Sequence, residues 1–259
     1  MKAVVKVGTS TLAHATGRLN IRRIEGLCKV LSDLKNAGHQ IILVSSGAIG
    51  MGVGKLGLPG RPADMPTKQA SAAVGQCELM YTYDKLFSEY SHTVAQILIT
   101  SEDLADPVRS GNLHNTLARL LELGALPIVN ENDTVSTAEI AVGDNDTLAA
   151  RLCRSLEAEL LVILSDIDGL YTADPHTHPE ARLLRRVQAI TPDIVALAGG
   201  AGSALGTGGM ATKLRAGQIV TEAGADMVIA NGRDPEVLYT VFEGGEAGTR
   251  FLARKGGSQ

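Results

Sequence analysis

The chain has 259 residues and a formal net charge of −4, with no Trp, three Phe and five Tyr. An acidic balance with so few aromatic rings excludes the basic tracks and stacking platforms of a nucleic-acid binder. No apolar run approaches the roughly 20 residues that cross a bilayer, and no signal-peptide core follows Met1 and Lys2, so a cytoplasmic protein with no membrane partner is expected.

Hydrophobic residues make up 44% of the chain and charged residues 20%. That balance supports a buried core, which the scarcity of aromatics assigns to Ala, Leu, Val and Ile. The three cysteines, Cys28, Cys77 and Cys153, are odd in number and widely spaced. They read as small buried hydrophobes in helices, and their spacing suggests no zinc site.

Residues 2–7 form a Val-rich strand that ends at Gly8. Residues 21–37 then repeat apolar side chains at helical spacing (Ile24, Leu27, Cys28, Leu31, Leu34) and stop at Gly38. A short apolar run at 40–44 follows, as expected of a strand covered on both faces. The alternation continues with a helix at 70–89, a strand at 94–99, a helix at 113–123 and a strand at 126–129. After them come a helix at 147–156, a strand at 160–164, a helix at 214–223 and a strand at 227–230. Strands alternating with helices predict parallel pairing through right-handed crossovers, hence a sheet covered by helices on both sides. The soft points are residues 59–66 and the glycine-rich stretch 199–209. One domain is expected, with a short tail after Phe251.

In such sheets ligands bind beyond the carboxyl ends of the strands. Those ends carry Gly8-Thr9-Ser10, Ser45-Ser46-Gly47, Asn130-Glu131-Asn132-Asp133, Ser165-Asp166 and Asn231-Gly232. The loops at the opposite edge are ordinary connections, so the polar residues gather on one rim.

Gly52-Val53-Gly54-Lys55-Leu56-Gly57 matches the dinucleotide fingerprint as a bare pattern. It begins eight residues after Val44 rather than at the strand end, and it lacks the acid at a following strand end. A glycine-rich helical turn packed closely against a neighbour explains it better. His176 and His178, between two prolines, read as an exposed loop rather than metal ligands. The other histidines are scattered and suggest no triad.

Lys6 interrupts a strand that is otherwise apolar. A buried ammonium is costly unless it snorkels at an edge or meets an anion, and Lys6 lies two residues from the ligand rim. The segment GTGGMATK, 206–213, has the wrong spacing for the common phosphate loop, because Thr212 precedes Lys213 and Leu214 follows it. Its small residues suit an anion nest, with Thr212 capping a helix near Leu214, and equally suit a flexible connection. Lys213 in a first helical turn is unfavourable unless an anion is near. Asp144, Asn145 and Asp146 open another helix; two carboxylates flanking an amide exceed what capping needs, and such a group suits orienting lysines or holding magnesium.

Six stretches, VVKVGTS, VSSGAI, VNENDTV, AEIAVGDND, SDIDGLYTADP and GTGGMATK, run in this order over nearly the whole chain. Together they resemble the amino acid kinase family, on its branch that phosphorylates L-glutamate for proline biosynthesis. The resemblance implies an α/β fold, a three-layer α/β/α sandwich with a mostly parallel central sheet, that transfers the γ-phosphoryl of ATP to the side-chain carboxylate. It implies catalytic roles for Lys6, Lys213 and Asp146, and substrate contacts by Ser46, Asp133 and Asn145. For ATP it implies Lys6, Gly8, Ser165, Asp166, Thr207, Gly208, Gly209, Met210, Ala211, Thr212 and Lys213. Magnesium is expected with ATP, and no dedicated protein metal site. It further implies feedback inhibition by proline, a homo-oligomer (dimer or tetramer) and a glutamyl-phosphate reductase as partner. Many members carry a C-terminal PUA domain; residues 1–259 are read as the kinase domain alone. A carboxylate acceptor is ionised at neutral pH, so the lack of a histidine base is expected.

Overall fold

The computed structural model describes residues 1–14, 18–136, 145–175, 177–198 and 209–254. Eight strands form one sheet: β1 (Lys2–Val7), β2 (Gln40–Ser45), β3 (Val94–Ile99), β4 (Leu126–Glu131), β5 (Leu160–Ser165), β6 (Arg186–Val187), β7 (Asp226–Asn231) and β8 (Thr249–Phe251). Their spatial order is β3-β4-β2-β1-β5-β7-β8-β6, so β2 to β4 lie on one side of β1 and β5 to β8 on the other. Every pair is parallel except β7 with β8. The carboxyl ends of β1, β2, β4, β5 and β7 therefore share one edge.

The described helices are α1 (Thr9–Leu12), α2 (Ile21–Asn36), α3 (Ala48–Lys55), α4 (Met65–Ser88), α5 (Ser101–Ala105), α6 (Pro107–Glu122), α7 (Asn145–Ser155), α8 (Pro192–Ala196), α9 (Met210–Glu222) and α10 (Val237–Phe242). Side-chain alternation along each strand divides the core into two layers. Ala3, Val5 and Val7 of β1 pack with Leu27 and Leu31 of α2, Leu79 and Tyr83 of α4 and Leu238 of α10. Val4 packs on the other face with Leu117 of α6, Leu148 and Leu152 of α7 and Leu214 and Val220 of α9. The same alternation puts Lys6 on the face of Val4, toward α7 and α9. This is the expected mostly parallel α/β/α arrangement.

The apolar strands fall where their patterns place them, and the differences lie at helix starts and short elements. The fourth helix starts at Met65 rather than 70, because Asp64 accepts from Thr67 N (2.9 Å) and Pro66 occupies the first turn, where its missing N–H costs nothing. The sixth starts at Pro107 for the same reason, with Asp106 accepting from Arg109 N (2.8 Å). β6 and β8 have two and three residues, too few to show a period. Phe251 is thus the end of a paired strand before the tail. Cys28 and Cys153 are buried as expected, whereas Cys77 is exposed, on the outer face of α4.

The glycine pattern at 52–57 lies in and just after α3, and its close packing is real. A Cβ on Gly52 would overlap the Ser71 carbonyl oxygen of α4, and one on Gly75 would overlap the Ala48 carbonyl oxygen of α3. Only hydrogen fits at either position. Gly47, directly after Ser46, has φ +106°, so glycine also permits the left-handed turn from β2 into α3.

Candidate active site

The ionic centre of the rim is Asp146, in the first turn of α7 and only 1% exposed. Lys6 Nζ reaches its Oδ1 at 2.7 Å and Lys213 Nζ reaches its Oδ2 at 3.2 Å. The lysines are 7% and 5% exposed, so water screens the cluster little. Two ammonium groups thus meet on the two oxygens of one buried carboxylate at the strand ends. Burial alone would raise the Asp146 carboxyl, but the charges of Lys6 and Lys213, with hydrogen bonds from Lys6 and Thr212, outweigh it and hold the group well below the usual carboxylate range.

Lys213 lies in the first turn of α9, where the helix dipole disfavours a cation, and Asp146 is the anion that offsets this. The helix begins at Met210 and not near Leu214, so Thr212 is not its cap. Gly209 is the N-cap and supplies no side-chain cap bond. The Thr212 hydroxyl instead faces Asp146 Oδ2 (2.9 Å) and Gly209 O (2.8 Å), with one proton for the two acceptors. Among the described residues no side chain caps the amides of Met210, Ala211 and Thr212 at the helix start, the arrangement that receives anions elsewhere.

Beside this cluster lies an uncharged one. Asn145 Nδ2 donates toward Ser46 Oγ (2.9 Å), Asn130 Oδ1 (3.0 Å) and Ser45 O (3.3 Å). Asn130 Nδ2 donates in turn to Gln76 Oε1 of α4 (2.9 Å). Ser45 Oγ pairs with Tyr83 OH at 2.8 Å, fully buried. Asp133 is half-buried in the turn just past β4. Adjacent Asn145 and Asp146 therefore face two neighbourhoods: one joins the amides, the other the lysines.

On the β5 side, Ser165 Oγ donates to Asp166 Oδ1 (3.2 Å). Gly8 follows β1 next to this strand end; a Cβ there would lie 3.7 Å from Lys6 Nζ and 3.8 Å from Leu164 O. Lys6, Gly8, Ser46, Asn145, Asp146, Ser165, Thr212 and Lys213 thus share the rim. Thr207 and Gly208 lie outside the described residues, as do Asp144 and His176. His178 is exposed and pairs with Glu180 at 3.3 Å. Among the described residues no group of three or more His, Cys, Asp and Glu side chains is arranged to hold a metal ion.

Sequence reasoning placed Ser45 on the rim without a role and missed Gln76 and Tyr83. Gln76 shares a face of α4 with Ala72, Leu79 and Tyr83, and a glutamine within that buried stripe is the signal that was available.

A family model described as the amino acid kinase family matches residues 1–231. The chain belongs to the amino acid kinase family. Within it, the chain is 54% identical to a glutamate 5-kinase of Clostridium tetani, over 97% of this chain and 94% of that protein. It is 53% identical to a glutamate 5-kinase of Moorella thermoacetica, over 98% of this chain and 67% of that protein. The amino acid kinase fold is also evident in a carbamate kinase from Giardia lamblia bound to AMP-PNP, with a TM-score of 0.69 at 19% identity, covering 97% of this chain and 98% of that one. A UMP kinase from Bacillus anthracis aligns with a TM-score of 0.64 at 16% identity, covering 98% and 96%.

Proposed function

We propose that the chain transfers the γ-phosphoryl group of ATP to the side-chain carboxylate of L-glutamate, forming the acyl phosphate that opens proline biosynthesis. The observation that carries this reading is the convergence of Lys6 and Lys213 on one buried carboxylate at the ligand rim, in a chain whose relatives are glutamate 5-kinases.

Phosphoryl transfer requires positioning and charge neutralisation more than covalent work by the protein. Lys6 and Lys213 stabilise the negative charge on the moving phosphoryl, and Asp146 keeps them facing the same point. The uncapped amides at the start of α9 and the segment 207–213 receive the phosphates, while Gly8, Ser165 and Asp166 border the nucleotide. Magnesium enters as the ion ATP carries. Ser46 and Asn145 contact glutamate, and Asp133 meets its ammonium. The attacking carboxylate is already ionised, so no general base takes part.

Proline binds at or near the glutamate site as an inhibitor, and the active form is a homo-oligomer in the cytoplasm. A reductase that accepts the labile acyl phosphate is the natural next partner. Among the described residues no helix is long and apolar enough to cross a membrane.

Incubation with MgATP and each acid in turn, trapping acyl phosphate with hydroxylamine, tests class and substrate together. Hydroxamate formation with L-glutamate is expected. Equal or greater turnover of N-acetylglutamate, which has no ammonium for Asp133 to meet, overturns the assignment.

A further inference from the structure

Glu131 N donates to Asn130 Oδ1 at 2.9 Å, and a backbone N–H cannot exchange its role for that of an acceptor. The Asn130 amide is therefore oriented by the main chain, with oxygen toward β4 and nitrogen toward α4. Its nitrogen ends on Gln76 Oε1, and its oxygen also accepts from Asn145 Nδ2. Three acceptors surround Asn145 Nδ2, which has two hydrogens. Its amide oxygen is thereby turned to the opposite side.

Gln76 itself gains little from this place. It is 8% exposed, and its Nε2 is buried without a hydrogen-bond partner among the described residues. A methionine or leucine would fill the same stripe of α4 without that cost. What an apolar residue cannot supply is the acceptor for Asn130 Nδ2, which is also buried.

We infer that Gln76 is a positioning residue for acceptor recognition: by accepting from the other end of Asn130 it holds in place the amide that the main chain orients, and so keeps the Asn145 amide with nitrogen inward and oxygen outward, toward a substrate cation. This deepens the proposed function and rests on it. An outward oxygen favours an acid carrying an α-ammonium group, whereas an outward –NH2 would oppose it. The device thus selects the free amino acid over its N-acylated form, through a residue that touches neither. Sites built around a hydrogen bond discriminate strongly, because the wrong ligand leaves buried polar groups unpaired.

Steady-state hydroxylamine assays on the wild-type chain, Gln76→Met and Gln76→Glu test this, with thermal unfolding recorded for each. For Gln76→Met the KM for L-glutamate is expected to rise about tenfold, the fold-change of one ordinary hydrogen bond, while the KM for ATP and kcat stay within about twofold. The preference for L-glutamate over N-acetylglutamate should narrow by a similar factor. Gln76→Glu keeps an oxygen facing Asn130 Nδ2 and should hold the glutamate KM near the wild-type value. An unchanged glutamate KM in Gln76→Met, a parallel rise in both KM values, or a Gln76→Glu enzyme as impaired as Gln76→Met would overturn the inference. If Gln76→Met does not fold, Gln76→Glu decides alone: a near-wild-type KM supports the lock and a tenfold rise refutes it. A wild-type chain inactive on L-glutamate would sink the proposed function, and the inference with it.

Discussion

Two neighbourhoods on the same rim solve opposite problems. Around Asp146 two buried ammonium groups each lie within reach of one carboxylate, so formal charges set the character of the place. Around Asn145 the described hydrogen-bond partners are uncharged: amides, a hydroxyl and a main-chain carbonyl, with one amide oriented by a main-chain N–H. Charge acts without regard to the direction of approach, which suits a phosphoryl group that changes partners. Amides distinguish donor from acceptor, which suits the choice of one acid among several.

The largest expected effect comes from removing the charge at the centre. Asp146→Asn leaves two buried ammonium groups without their carboxylate and should cost about 3–5 kcal/mol of stability, measured by denaturant unfolding. The pH dependence has a definite sign. Burial pushes the Asp146 carboxyl up, but Lys6 and Lys213 push it further down, so its folded-state value lies below that of the unfolded chain. Its contribution is therefore full above about pH 3.9 and declines as acid takes the pH down through the folded-state value. The wild-type chain should lose stability over that interval more steeply than Asp146→Asn, and equal slopes would separate the lysines from the acid.

Lys213→Ala tests the moving charge instead. A fall of about 10²–10³-fold in kcat is expected, the scale for removing one preorganised charge-stabilising donor. An unchanged kcat would remove Lys213 from the mechanism and make the ionic cluster purely structural. Gly75→Ala should cost about 1–3 kcal/mol by forcing α3 and α4 apart, and should raise the glutamate KM more than the ATP KM, because Gln76 moves with its helix. The smallest effect is assigned to Tyr83→Phe, which removes the hydroxyl paired with Ser45. About 1 kcal/mol of stability should be lost with catalytic constants unchanged, and a large catalytic defect would extend the amide network further than its bonds indicate.

The ionic neighbourhood was more legible in the sequence than the amide one. Lys6 stands out because an ammonium in an apolar strand violates the expected pattern, and Lys213 because a cation opens a helix. The anion that reconciles both is Asp146, which sequence reading already placed at a helix start. Gln76 gives no comparable sign, since one polar residue in a long amphipathic helix is unremarkable until Asn130, 54 positions away, is brought beside it. In the fold, buried strands announced themselves by short, mostly apolar runs. The early start of α4 was hidden because residues 59–66 read as a soft point, whereas Pro66 sits where proline is tolerated in a helix. Strands of two and three residues have no period to read, and β8 is defined by its antiparallel neighbour.

The mutual contact of Gly52 and Gly75 limits how this scaffold can be re-engineered. Main chain rests directly on main chain there, so the helix pair behaves as a fixed shelf with no side chain to trim or enlarge. An attempt to redirect the enzyme to a bulkier acid has no slack to exploit in that helix pair. Room for new specificity must be found in the strand-end turns, where Ser46 and Asp133 lie.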